Sequence, residues 1–211
     1  FKRVIQWART GTSSTIWSCL AVHAAVLEID GIARVPLPEK CIGVFEHLRT
    51  EDHPMLEGTQ KMLPMPHSRW NEIPEESLRS QGYAILARSA ESGVGLFAKQ
   101  LEGCLFVFLQ GHPEYDTLSL LGEYRRDVGR YLSRKSEQYP AMPRHYFRRS
   151  VQRLLSEFRE RAIQDRQADL LTRFPLATVA LGVENTWRQA AEQVYRNWLA
   201  LLRAGKRCRA T

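Results

Sequence analysis

The stretch "TSSTIWSCLAVHAAVLEIDGI", residues 12–32, decides the fold class. It opens as a short apolar strand, roughly Thr15–Ser18, and turns at Cys19 into a helix. Leu20, Ala21, Ala24, Ala25 and Leu27 carry the helical spacing, and Gly31 marks the helix end. A second strand end lies at "LQGHPEYDTL", residues 109–118. There an apolar run from Leu105 to Leu109 stops at Gly111, and His112, Pro113 and Glu114 follow at once. Strands alternating with helices predict an α/β sandwich.

The rest of the chain fits that reading. Residues 1–10 read as the end of an amphipathic helix, with Val4, Ile5 and Ala8 on one side. "PLPEK" reads as a loop, "CIGVFEHL" as a strand, and "MLPMPHSRWNEI" as a strand ending in a polar loop. Residues 82–115 hold three strands separated by Gly-containing turns. A helical pattern runs from Thr117 to about Leu132, and a Pro-containing loop follows Tyr139. Residues 149–172 read as one charged amphipathic helix, with Val151, Leu154, Leu155, Phe158, Ile163 and Leu170 as its apolar positions. A last helix, about Thr186 to Ala204, aligns Trp187, Ala191, Val194, Trp198 and Leu201 on one face.

Composition sets the bounds. The chain has 211 residues, 44% of them hydrophobic and 25% charged, enough for a packed core and unlike a disordered chain. No window reaches the roughly 18 uninterrupted apolar residues of a membrane span. The opening "FKRVIQWART" has no signal-peptide pattern and already reads as helix, so the expectation is a cytoplasmic protein whose sequence continues upstream. Cys19, Cys41, Cys104 and Cys208 form no CxxC pair, which argues for free thiols and against a metal site. The net charge of +7 is concentrated locally. Arg125, Arg126, Arg130, Arg134, Lys135, Arg144, Arg148 and Arg149 face only Asp127 and Glu137 within residues 125–149. Without a nucleic-acid motif or a stacking series, this strip reads as a solvated face or as a docking strip for an anionic co-substrate.

Two positions carry chemistry. Cys19, at a strand-to-helix turn, has the geometry of a nucleophile elbow. A helix N-terminus there favours a thiolate, and the Leu20 backbone N–H is a candidate oxyanion donor. Read alone, such a cysteine is more often a small core thiol. His112 follows a strand's C-terminal end, where open α/β sheets place their sites. It is a candidate base, with Glu114 as its orienting carboxylate. Read alone, this pair is more often an unrelated loop His and surface Glu.

Taken together, "TSSTIWSCLAVHAA" (12–25), "PLPEKCIGVFEH" (36–47), "PMPHSRW" (64–70), "GHPEYDTLSLLGEYRRD" (111–127) and "NTWRQAAEQVYRNWL" (185–199) resemble the homoserine O-succinyltransferase family. That family includes homoserine O-acetyltransferases and is related to the class I glutamine amidotransferases. The resemblance covers residues 1 to about 147 and resumes near 184. It implies a flavodoxin-like three-layer sandwich and acyl transfer from acyl-CoA, as co-substrate, to the hydroxyl of L-homoserine in methionine biosynthesis. It implies no further cofactor, metal, nucleic-acid or membrane partner, and a homodimer. Cys19 would be the acylated nucleophile, with His112 and Glu114 as its partners. Lys40, Ser68, Glu123 and Arg126 would bind substrate, Arg126 taking the amino acid's carboxylate and Glu123 its ammonium. Alternatives are acetyl-CoA as donor, L-serine as acceptor, a glutamine amidohydrolase, and a degenerate relative that only binds.

The resemblance also shapes the domain reading. Residues 1–147 would be the C-terminal portion of the catalytic domain, 148–183 a charged helical insertion where relatives have a short loop, and 184–211 a helix packing back on the domain. The N-terminal part of the sheet, with a position that influences donor choice, would lie outside this chain. Two residues depart from the family pattern: Leu20 stands where Trp is common, and His23 stands where Gln is usual. His23 reads as packed rather than catalytic.

Overall fold

A computed structural model describes residues 1–208, with side chains through Ala204. The chain divides into two compact units. One holds residues 1–41, 45–114 and those from Thr186 onward; the other holds Ile42–Val44 and Tyr115–Asn185.

The first unit is built on a six-stranded sheet of order β1-β6-β5-β4-β2-β3. Its strands are β1 (Ser14–Ser18), β2 (Val35–Arg49), β3 (Met62–Glu72), β4 (Ala84–Ser89), β5 (Gly93–Leu101) and β6 (Cys104–Leu109). β1 and β6 are parallel, while β6–β5, β5–β4 and β4–β2 are antiparallel. Strand alternation explains the layering. Phe106 and Phe108 point to one face, where Trp17, Ile85 and Phe97 join Ile5 and Ala8 of α1 (Lys2–Gly11), Val22, Ala25 and Val26 of α2 (Leu20–Asp30) and Leu78 of α3 (Glu75–Ser80). Val107 and Leu109 point to the other, where Leu86, Leu96 and Ala98 pack with Met55, Leu56 and one side of a long helix, Arg188–Cys208, through Val194, Trp198 and Leu201. Two helical layers therefore cover one mixed sheet, as an α/β sandwich requires. On the first face Phe97 stacks on Phe108 at 4.9 Å between ring centres. The C-terminal end of α2 is tied to β5 by Lys99 Nζ donating to both Asp30 oxygens at 2.7 and 2.8 Å.

In the second unit, α4 (Ser119–Leu132) packs on a 3-10 segment, Ala168–Arg173. Next in chain order come α5 (Arg149–Gln164), α6 (Leu176–Leu181) and, in the first unit, the long helix, α7. Phe174 meets Tyr124 of α4 and Phe158 of α5 edge-on, at 6.3 and 5.2 Å.

Four local expectations are corrected. "PLPEK" is strand, not loop: each proline fixes its own φ and forces the preceding residue extended, so the run continues into β2. The polar end of "MLPMPHSRWNEI" is also strand as far as Glu72, and α3 follows it. The charged helix ends at Gln164 rather than near 172, and Ile163 is exposed while Ala162 is buried. Val4 is exposed although Ile5 and Ala8 are buried.

Phe108→Ala should lower the unfolding free energy by about 3–5 kcal/mol, because it empties a fully buried ring site. Leu27→Ala, on an exposed position of α2, should stay within roughly 0.5 kcal/mol. Urea denaturation of both variants checks this pair.

Candidate active site

Parallel pairing of β1 with β6 sets Ser18 beside Leu109, so the two C-terminal strand ends emerge side by side. The chain leaves β1 at Cys19 and β6 at Gln110. The Cys19 N–H donates to Leu109 O at 2.9 Å, extending the ladder by one bond. Cys19 itself has φ 49 and ψ −114, a backbone conformation that L-residues rarely hold, at the N-cap of α2. The tight turn keeps the half-buried thiol at the strand end, and the Leu20 N–H is the first of α2, without an intrahelical acceptor. Leu20's own side chain is exposed.

On the β6 side, Gly111 passes close over β3. A Cβ there would lie 2.5 Å from Met65 Sδ and 2.8 Å from His67 Nε2, so only glycine fits. The His112 N–H then donates to Pro66 O at 2.7 Å and fixes the loop. His112 Nδ1–H donates to Glu114 Oε1 at 2.8 Å, and Ser18 Oγ donates to the same oxygen at 3.2 Å. With Nδ1 engaged, Nε2 is left for Cys19, to which the His112 side chain also hydrogen-bonds. Burial opposes a charged His112, but its bonds to Cys19 and Glu114, and their negative charges, outweigh burial and hold its pKa up at about 9. Burial likewise opposes ionised Glu114, yet His112 and Ser18 hold its carboxyl below the usual range. Such a trio can take a proton from a thiol, hold the resulting charge pair and return the proton to a leaving group.

The other sequence-predicted residues lie on three further elements. Lys40 is half-buried on β2, and Ser68 is half-buried on β3 between two buried neighbours, His67 and Arg69. Glu123 and Arg126 lie on α4 of the second unit, paired with each other at 3.7 Å, and Glu123 accepts from Tyr115 Oη at 2.6 Å. Of the basic strip, Arg148 is ion-paired with Glu184. His23 is buried on α2; burial, then Arg34 and Arg69, bring its pKa down to about 4. Cys41 is half-buried and Cys104 buried, neither of them in a disulfide, and the Cys208 side chain lies outside the described residues. Among the described residues no helix is long and apolar enough to cross a membrane, and no cluster of three or more His, Cys, Asp or Glu could hold a metal ion.

Sequence reasoning missed His47, His67 and Arg69, which are buried to 0%, 0% and 4% exposure beneath the Gly111–His112 loop. Their signal was present: polar residues at inward positions of apolar strands are seldom there without partners.

The family profile described as homoserine O-succinyltransferase matches residues 1–205. The chain belongs to the homoserine O-succinyltransferase family. A homoserine O-succinyltransferase of Bradyrhizobium japonicum is 45% identical over 202 residues, covering 96% of this chain and 61% of the relative. Another, of Methylorubrum extorquens, is 43% identical over 199 residues, covering 94% and 60%. The chain thus spans about 60% of the length of the curated relatives it matches. Among solved structures, a glutamine amidotransferase of Methylobacillus flagellatus aligns with TM-score 0.54 at 18% identity, covering 95% of this chain and 68% of that one. A glutamine amidotransferase of Thermotoga maritima aligns with TM-score 0.51 at 9% identity, covering 95% and 67%. At those identities the likeness is one of fold: the class I glutamine amidotransferase-like α/β sandwich, as the sequence predicts.

The raised pKa of His112 has a defined consequence. A pKa above the unfolded value of 6.5 adds stability that is complete below pH 6.5 and is lost as pH rises through about 9. An NMR titration should place His112 near 9 in the native protein and clearly lower in Cys19→Ala and in Glu114→Gln, since each variant removes a cause of the rise. An unchanged value in both variants would refute the assigned contacts.

Proposed function

We propose that the protein transfers a succinyl group from succinyl-CoA to the hydroxyl of L-homoserine through a Cys19 thioester, as a step of methionine biosynthesis. The observation that carries this reading is the family match over residues 1–205, coinciding with the strained Cys19 turn and the His112–Glu114 pair. The names of the relatives support succinyl as the group moved and homoserine as its acceptor.

The chemistry follows from the charges. In the first half-reaction the Cys19 thiolate attacks the thioester carbonyl. The C–S bond to CoA breaks, and the departing thiolate takes the proton of the His112 imidazolium. The Leu20 N–H is the oxyanion donor. Acylated Cys19 has no negative charge, so a main support of the high His112 pKa disappears. The imidazole is thereby left neutral and basic when the second substrate arrives. In the second half-reaction it accepts the homoserine hydroxyl proton as the oxygen attacks the acyl carbon, and the Cys19 thiolate leaves. Glu114 holds the same ring orientation throughout. Lys40, Ser68, Glu123 and Arg126 are the proposed substrate contacts, with Arg126 for the carboxylate and Glu123 for the ammonium of homoserine.

A thiol-release assay on the full-length protein tests this reading, with succinyl-CoA and acetyl-CoA side by side and with L-homoserine, L-serine or no acceptor. The expected result is sustained release with succinyl-CoA and L-homoserine, reduced by about 10⁴-fold or more in Cys19→Ala. Release with neither donor, or ammonia release from glutamine instead, would overturn it.

A further inference from the structure

Gln110 stands between the two halves of the site. It is fully buried, yet the reaction above gives it no role. Its peptide group with Leu109 is used on both edges. The carbonyl, Leu109 O, accepts the Cys19 N–H at 2.9 Å, and the amide, Gln110 N–H, donates to Gly95 O of β5 at 2.9 Å. One peptide plane therefore holds the backbone of Cys19 and is itself anchored to the neighbouring strand. His112 follows two residues later.

The side chain adds two more anchors. Ile73 N–H donates to Gln110 Oε1 at 2.9 Å, and Gln110 Nε2–H donates to Val94 O at 2.8 Å. An N–H only donates and a carbonyl only accepts, so these partners fix which way the amide faces. Ile73 lies between β3 and α3, and Val94 lies on β5, so the amide bridges two segments that flank the end of β6. The next two residues are seated as firmly. Gly111 passes over His67, and the His112 N–H is held by Pro66 O. His67 is held in turn, with its Nε2 3.1 Å from His47 Nε2 and its Nδ1 accepting from Arg69 Nε–H at 3.2 Å.

A satisfied buried amide adds little net stability, and an aliphatic side chain of the same size would serve the core about as well. What the amide supplies is direction. Apolar contact is non-directional and would let the strand end slide or turn, whereas two hydrogen bonds of opposite sense to two different segments fix both its place and its rotation.

We infer that Gln110 is a positioning residue, whose side-chain amide and peptide with Leu109 hold the Cys19 turn and the His112 loop in one fixed register. The inference rests on the reading of Cys19 and His112 as nucleophile and base, and it adds a residue that acts only through them.

NMR titration and kinetics of the full-length protein and two variants test it. Gln110→Met keeps the volume and loses both side-chain bonds. Gln110→Asn, the milder change, is one methylene too short to span both partners. In the native protein burial opposes a charged His112, while Cys19 and Glu114 hold its pKa at about 9. His112 and Glu114 travel on one loop, so a freed strand end loses the Cys19 contact and keeps the Glu114 one. In both variants His112 should therefore titrate below its native value, where it does in Cys19→Ala. The kcat with succinyl-CoA and L-homoserine should fall about 100-fold, with KM for succinyl-CoA unchanged. Ile85→Ala, at a fully buried position of β4, should lower stability yet leave the His112 titration and kcat native. Gln110 variants that lose stability but keep the native His112 titration and kcat would overturn the positioning role. So would an Ile73 amide that exchanges with deuterium in the native protein as fast as an exposed one, because the brace would then be absent. A His112 pKa that falls in both variants of a protein with no succinyl-CoA turnover would instead sink the acyl-transfer reading and leave the role of Gln110 standing.

Discussion

The backbone of Cys19 is the constraint on which the site depends. A non-glycine residue at φ 49 costs on the order of 1–3 kcal/mol, and it persists only where its surroundings leave no alternative. Here β1 is locked in parallel register to β6, the Cys19 N–H is spent on Leu109 O, and α2 is pinned by Val22, Ala25 and Val26 in the core. Strand and helix are each held rigidly, so the turn between them absorbs the strain. The same pairing that forces Cys19 outward delivers the Gly111–His112 loop next to it. Nucleophile and base are therefore brought together by one strand register.

Charge is arranged around that turn with equal economy. His23, His47, His67 and His112 all belong to the first unit, and burial alone pushes each toward neutrality. Only His112 goes the other way, because only it has both Glu114 and Cys19 as partners. Keeping His47 and His67 neutral avoids a third and fourth positive charge beside His112 and Arg69. The buried pair supplies hydrogen bonds without charge, and the imidazolium charge is reserved for His112, the partner of Cys19.

Much of this was legible in the sequence where the signal is local. The β1-to-α2 junction shows in the change of apolar period at Cys19, and β4 to β6 show in their glycine-punctuated runs. Gly111, His112 and Glu114 stand in one short segment, so their meeting is nearly a sequence-local event. What was not legible depends on pairing between distant segments. "PLPEK" looks like a loop because prolines interrupt a pattern, yet they stiffen an extended strand. The end of α5 at Gln164 is set by packing, since the charged pattern continues past it. His47 and His67 sit 20 residues apart on different strands, and no spacing rule brings their rings together. Glu123 and Arg126 were named by resemblance, and their mutual pairing on α4 was visible only as an i,i+3 spacing.

The most direct test of the account is to ask whether Cys19 carries the acyl group. Protein mixed with succinyl-CoA in the absence of acceptor, quenched in acid and digested, should give one succinylated peptide, the one containing Cys19. That adduct should vanish when L-homoserine is added before the quench. A chain that forms no adduct, or one that is succinylated at Cys41 or elsewhere while Cys19 stays free, would contradict the account.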